Sequence, residues 1–334
     1  MPRGKNERLF LFVQHGVTLA RAFDADMVLT LKSVIHDRQP RGRAAIKGER
    51  VGRFLMSSQI TLVHRTCYRY DRPVVMGPQT VRLRPMKDCR TPVLSYTLKV
   101  EPAGAELGWG QDDNGNETAF IRFDEKVTHF NVEVSLVADM RVYDPLRLTD
   151  ESPLCTQDCD TACRSQPQLG EHATTFINDL RALLPEDPAR KFIKLNEVIA
   201  RRVRYERRME PGVLSAEDVL SRNCGSCRDS AWLMVLLARH MGFAARFVSG
   251  YLVQSLHGAG DEEVLNGDLH AWAQVLLPEH GWLGFDTTSG RLAGEGHIPL
   301  AVAAEPEGAA PISGLLDRCE SCFDVSMQVQ RLFS

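Results

Sequence analysis

The chain has 334 residues, a length that as a prior holds two domains or one large one. Apolar residues make up 43% and charged residues 25%, ordinary for a chain with a sizeable core, and a formal net charge of −3 gives no global argument for nucleic acid or an anionic membrane as partner. No apolar run approaches the roughly 18 residues that a membrane-spanning helix needs.

At the N-terminus, Arg3, Lys5 and Arg8 precede the apolar run Leu9 to Val13, but Gln14, His15 and Arg21 break it too early for a signal peptide. The expectation is a cytoplasmic protein. Nine cysteines, an odd number spread along the chain without a secretion signal, argue for thiols rather than a disulfide framework. Residues 1–55 are rich in Arg and Lys, with a loop-like Arg38-Gln-Pro-Arg-Gly-Arg43. They read as a disordered extension or as residues upstream of the true start, the alternative being a short helix from Ala20 to Ile35 packed on the body.

Residues 56–145 read as β. Ile60 to Tyr70, Val81 to Arg84 and Leu94 to Val100 alternate apolar and polar residues. Asp113-Asn-Gly-Asn116 is a turn, followed by strand patterns over Thr118–Phe123 and Phe130–Val137. Short strands at this spacing suggest an antiparallel sandwich. Residues 146–168, rich in Pro, Asp, Ser and Cys, read as a linker. Helical periodicity follows over Ala173–Leu184, ended by Pro185, and over Ala189–Arg201. Ser215-Ala-Glu-Asp218 looks like a capping-box start. Cys227 to Met241 is almost continuously apolar after its first turn, the pattern of a buried helix stopped by Gly242. Strands are expected over Ala244–Val253, His270–Leu277 and Trp282–Thr287, the last two joined into a hairpin by Pro278-Glu-His-Gly281. Phe323–Leu332 alternates as a closing strand.

Cys227 begins the buried helix within Asn223-Cys-Gly-Ser-Cys-Arg-Asp229. Unpaired backbone N–H groups and the positive end of the helix dipole stabilise a thiolate there. Its own backbone N–H is placed to help stabilise an oxyanion. A thiolate nucleophile needs an imidazole, and the imidazole an orienting group. His270 starts one strand of the expected hairpin and Asp286 ends the other, so both can share a face. Taken singly, the cysteine can be a small buried hydrophobe, the histidine a satisfied polar group and the aspartate a turn former. Together they form a candidate triad.

These segments resemble the transglutaminase-like superfamily: Gly225-Ser-Cys-Arg-Asp-Ser-Ala-Trp232, Gly242 to Leu252, Leu269-His-Ala-Trp272 and Gly281-Trp-Leu-Gly-Phe-Asp286. His64 to Tyr70 and Pro78 to Pro85 resemble the β-rich N-terminal region of its bacterial members. Arg208 to Val213, Ala293 to Leu300 and Ala310 to Gly314 extend the likeness, which covers about residues 58–330. The resemblance implies an α+β protein: an N-terminal antiparallel β-sandwich, then a papain-like transglutaminase core over 169–290, with 291–334 completing the core. It assigns Cys227 as nucleophile, His270 as general base and acid, and Asp286 as orienting carboxylate. It implies a cysteine acyltransferase or peptidase acting on a protein or peptide substrate, with no cofactor, no metal, and neither nucleic acid nor membrane as partner. Tyr251 and Asp268 are expected as walls of the substrate pocket, and so is Trp272, which shares the face of His270 two residues away, although its alternative role, like that of Trp232, is core packing. A large bacterial subgroup carries a long extra C-terminal domain that would begin where this chain stops, at Ser334. The expectation is a truncated or split version, with a partner supplying that domain.

Three other readings compete. Cys224-x-x-Cys227 and Cys319-x-x-Cys322 resemble zinc-ribbon pairs but lie far apart in sequence. Cys224 could resolve an oxidised Cys227, although no thioredoxin-like βαβ pattern precedes the pair. Within the metal reading, Cys155, Cys159 and Cys163 recur every four residues and could form a soft-metal or redox face, the alternative being a chance Cys-rich linker. A non-catalytic peptide-binding module is the third, and the intact triad argues against it.

Overall fold

A computed structural model describes residues 8–13, 58–147, 161–208, 210–257 and 263–332. The first strand is β1 (Arg8–Val13); β2 (Gln59–Val74), β3 (Met76–Val81), β4 (Val93–Glu101), β5 (Glu106–Gln111), β6 (Glu117–Arg122) and β7 (Val127–Asp139) follow. Next come α1 (Glu171–Arg181), α2 (Pro188–Arg202), β8 (Arg204–Tyr205), α3 (Ala216–Arg222), β9 (Cys224–Gly225) and α4 (Cys227–His240). The chain then runs through β10 (Ala245–His257), β11 (Glu263–Leu277), β12 (Gly281–Asp286), β13 (Arg291–Leu292), β14 (His297–Ala303), β15 (Ile312–Asp317) and β16 (Ser321–Arg331).

The β-rich region is a sandwich. One sheet has the order β16-β2-β7-β4 and the other β1-β15-β3-β6-β5. Period-2 alternation drives the packing: along β2, Ile60, Leu62, His64, Thr66 and Tyr68 are buried while the residues between them are not. Val132, Val134 and Leu136 of β7 do the same.

The second region is an antiparallel sheet of order β13-β12-β11-β10-β14 with α4 packed on one face. Its helix is apolar nearly all round because it is enclosed on all sides. Ala271, Ala273, Val275 and Leu277 of β11 face α4, and the two alanines leave room for close approach. The intervening Trp272 packs on the opposite face with Val248 and Val302, while His270, further back along β11, stands within hydrogen-bond reach of Cys227 at the start of α4. The other side of α4 is covered by α1, α2 and α3 through Ile177, Phe192, Leu195, Ile199 and Val219. Asp187 caps α2, accepting from Arg190 N at 2.8 Å, with Pro188 in the first turn. Ser215 caps α3, its Oγ accepting from Asp218 N at 3.1 Å, as its sequence suggested.

Two expectations about the chain's ends need correction. Residues 291–334 do not simply complete the core: β14 pairs with β10, but β15 pairs with β3 and β16 with β2, so the chain returns to close the sandwich. A sandwich sheet needs a partner for the outer edge of β2, and the alternating β16 supplies it. Within the segment expected to be a disordered extension, Arg8–Val13 forms β1 and pairs with β15. Its short apolar run is long enough for an edge strand. The remainder of that segment, including the alternative helix over Ala20–Ile35, lies outside the described residues, as do Cys155 and Cys159.

Candidate active site

The end of α4 is built by a buried charge network. Asn223 closes α3 in the left-handed region (φ 54°), and β9 then pairs in parallel with β8. Ser226 N–H and Ser226 Oγ both donate to Asp229 Oδ2, at 2.8 and 2.6 Å. Arg208 Nε and Nη2 donate to the same carboxylate at 2.8 and 3.3 Å, and Leu214 N–H at 2.7 Å. Arg228 reaches the carbonyls of Gly212 and Glu210. Gly225 packs closely here: a Cβ would stand 3.0 Å from Asp229 Cβ, so the Asp229 side chain would have to give way. This clamp fixes Cys227 as the first residue of the helix, 2% exposed.

On the strand side, His270 Nε2 and Asp286 Oδ1 are 3.0 Å apart, both buried. Asp286 also shapes its own turn: Oδ1 accepts from Thr288 N–H at 2.9 Å and Oδ2 from Ser289 Oγ at 2.8 Å. The aspartate thus forms its own turn, as one reading of it expected, and the same carboxylate also meets His270. Thr287 Oγ1 donates to Ser230 Oγ at 2.8 Å, which ties the end of β12 to the first turn of α4 and so to Cys227.

The electrostatics follow from these placements. Burial by itself would depress the His270 pKa. The Cys227 charge, hydrogen bonds to Asp286 and Cys227, and the Asp286 charge outweigh it and push it up from 6.5 to about 10. Burial alone would raise the Asp286 carboxyl, yet hydrogen bonds from His270 and His297 hold it well below the usual carboxylate range. With Nε2 engaged by Asp286, the other ring nitrogen is left for the thiol. The ring thus has a carboxylate on one side and a sulfur on the other.

The three expected pocket residues fare differently. Asp268 is exposed on β11, on the same face as His270. Its charge and that of Cys227 both reach Tyr205, whose phenol burial pushes up. Tyr205, 52% exposed, thus flanks the nucleophile and was not foreseen. Trp272 is 1% exposed, wedged where a Cβ on Gly250 would stand 2.4 Å from its indole and one on Gly284 3.4 Å. It nevertheless forms part of the wall of a cavity of about 760 Å³ between the sandwich and the core, together with Arg90, Tyr143, Arg246, Trp282 and His297. Tyr251 is not a pocket residue. It pairs with Leu269, one residue out of step with His270, so both point into the sandwich core, where the Tyr251 hydroxyl and His64 Nδ1 are 3.0 Å apart.

The two Cys-x-x-Cys pairs lie on different domains: Cys224 and Cys227 at the end of α4, Cys319 and Cys322 at the β15–β16 turn. Among the described residues, the donor atoms of His270, Asp286 and His297 lie within 4.8 Å of one another. That is metal-like spacing, but hydrogen bonds between the imidazoles and the carboxylate account for it. His297 was not foreseen as a site residue. Its signal was present in the Ala293–Leu300 stretch but carried no chemistry at the level of sequence.

A helix-borne cysteine facing a strand-borne histidine–aspartate pair, on an antiparallel sheet, defines a papain-like α+β fold of the cysteine-based catalytic type. The comparisons agree. The model of the bacterial transglutaminase-like N-terminal region matches residues 60–139, and that of the transglutaminase-like superfamily matches residues 179–287. The chain belongs to the transglutaminase-like superfamily. It is 25% identical over 289 residues to an uncharacterized protein of Mycobacterium tuberculosis, covering 80% of this chain and 91% of that one. It is 38% identical over 65 residues, 19% of this chain and 10% of the other, to a protein-glutamine gamma-glutamyltransferase of Pseudomonas aeruginosa. A crystal structure from Cytophaga hutchinsonii, of a protein proposed to be a cysteine protease, shares the fold. It has a TM-score of 0.60 at 19% identity and covers 83% of this chain and 91% of that one.

Proposed function

We propose that the protein is a cysteine acyltransferase or amidase acting on carboxamide or peptide carbonyls through a thioester on Cys227. The observation that carries this reading is the His270–Asp286 bond at 3.0 Å with the Cys227 thiol on the far side of the imidazole. His270 holds the proton from the thiol, leaving thiolate beside imidazolium. The thiolate attacks the carbonyl carbon, and the negative oxygen that forms lies against the end of α4, where the helix dipole and backbone N–H groups favour it. Collapse of this intermediate breaks the C–N bond, and His270 gives its proton to the leaving nitrogen. Water or a primary amine then attacks the thioester, with His270 taking its proton, and the thiolate is released. The P. aeruginosa relative's name supports a glutamine carboxamide as acyl donor.

The test is to incubate the protein with a glutamine-containing peptide, with and without a primary amine, and weigh the products. Deamidated peptide without amine, and amine-linked peptide with it, are expected, both lost in Cys227→Ala. Product formation that survives Cys227→Ala would overturn the proposal.

A further inference from the structure

The geometry points to His297 as a positioning residue that holds Asp286 from the side opposite His270, making the site a four-residue relay of Cys227, His270, Asp286 and His297. The inference rests on the proposed function, and it concerns a residue that no part of that mechanism uses.

His297 is the first residue of β14 and stands on a separate segment from the His270–Asp286 hairpin. Its backbone N–H donates to Gly294 O at 2.9 Å, and Gly294 N–H donates back to His297 Nδ1 at 3.2 Å. A nitrogen that accepts is unprotonated in the neutral ring, so the tautomer is set: Nε2 carries the hydrogen. That nitrogen lies 3.4 Å from Asp286 Oδ2. The separation is at the long end, as catalytic hydrogen bonds in unliganded sites commonly are. The ring is fixed in place by Trp272, edge-on at 5.2 Å and 82° between planes, and its side chain is 11% exposed.

Each oxygen of the Asp286 carboxylate thus has its own imidazole: Oδ1 has His270 and Oδ2 has His297. Without His297, Oδ2 keeps only the Ser289 hydroxyl, so every remaining partner of the carboxylate except His270 comes from its own turn. Rotation of the carboxylate would then take Oδ1 out of line with His270. A partner fixed on an independent strand removes that freedom, which is how outer partners orient the residues that do chemistry. The charged and titratable groups around the pair are Cys227 from α4, His297 from β14, and Tyr205 and Asp268 at the mouth.

The test follows the rate at which iodoacetamide alkylates Cys227, read by mass spectrometry from acid to alkaline pH. His297→Phe keeps a ring against Trp272 but removes the donor, whereas His297→Gln keeps a donor near Nε2. For His297→Phe the account expects roughly tenfold slower alkylation at neutral pH and an acid limb displaced to higher pH. His297→Gln should recover most of the rate. Melting temperatures are measured alongside, because a merely structural role lowers them without moving the limb of the folded molecules. Wild-type rate and limb in His297→Phe overturn the inference, as does a Gln variant no better than Phe. Asp286→Asn is run beside them. If it is impaired and His297→Phe is not, only the His297 assignment fails. If neither differs from wild type, the triad reading fails with it.

Discussion

Asp229 and Asp286 are buried carboxylates on the two sides of the nucleophile, and they are satisfied in opposite ways. Asp229, under the end of α4, is held by the permanently charged Arg208, by the backbone of Leu214 and Ser226, and by the Ser226 hydroxyl. Asp286, on the strand side, is held by two imidazoles and its own turn. The first arrangement fixes the sulfur in place. The second gives the sulfur a partner whose protonation can change within a reaction cycle. One helix end thus separates a rigid half of the site from a titrating half.

The comparison breaks most sharply under substitution of each carboxylate's partners. Asp286→Asn should lower acyl-transfer rates by roughly 10²–10⁴-fold, because the amide favours the wrong imidazole tautomer, a loss far larger than its effect on the melting temperature. Arg208→Ala should do the reverse. It leaves the fully buried Asp229 charge without its cation, so chemical denaturation should show about 3–5 kcal/mol lost. Cys227 in the molecules that remain folded should still react with iodoacetamide. Similar rate losses in both variants would erase the distinction.

A smaller effect is expected at the packing that supports the titrating half. Gly250→Ala puts a Cβ 2.4 Å from both the Trp272 indole and the Ile298 carbonyl oxygen. Since backbone lies on one side, Trp272 must move, with about 1–3 kcal/mol lost in denaturation and a fall in Cys227 reactivity. The mildest test is pH. The folded pKa of His270, about 10, lies above its ordinary 6.5, so the stabilisation from its charge is complete below about pH 6.5 and is lost as the pH rises through about 10. The difference in melting temperature between wild type and His270→Gln should therefore shrink across that window. A constant or growing difference would contradict the assignment.

Much of this was legible in the sequence because local pattern and tertiary role coincide. The alternation of β2 survives in the structure since one face is buried against the opposite sheet. The unbroken apolar run of α4 could only be an enclosed helix. Cys227 starts α4 and Asp286 ends β12, where they were sought, whereas His270, expected to begin a strand, lies in the middle of β11, which starts back at Glu263. The failures have equally local causes. Gly108 and Gly110 mask β5, and Pro299 interrupts β14, so neither read as a strand. Tyr251 was misplaced by a single step of strand parity, which sends a side chain to the opposite face. His297 reaches Asp286 through a chain reversal after β13 that no periodicity encodes. The return of β15 and β16 to the sandwich is likewise a matter of pairing between distant segments.

The central claim is that one thiol among nine is set apart by its imidazole and carboxylate. Limited iodoacetamide treatment of the folded protein, followed by mass-spectrometric mapping of every cysteine, tests it most directly. The account predicts preferential labelling at Cys227 that falls in His270→Ala to the level of the other cysteines. Uniform labelling of all the cysteines, or labelling of Cys227 that His270→Ala leaves unchanged, would contradict it.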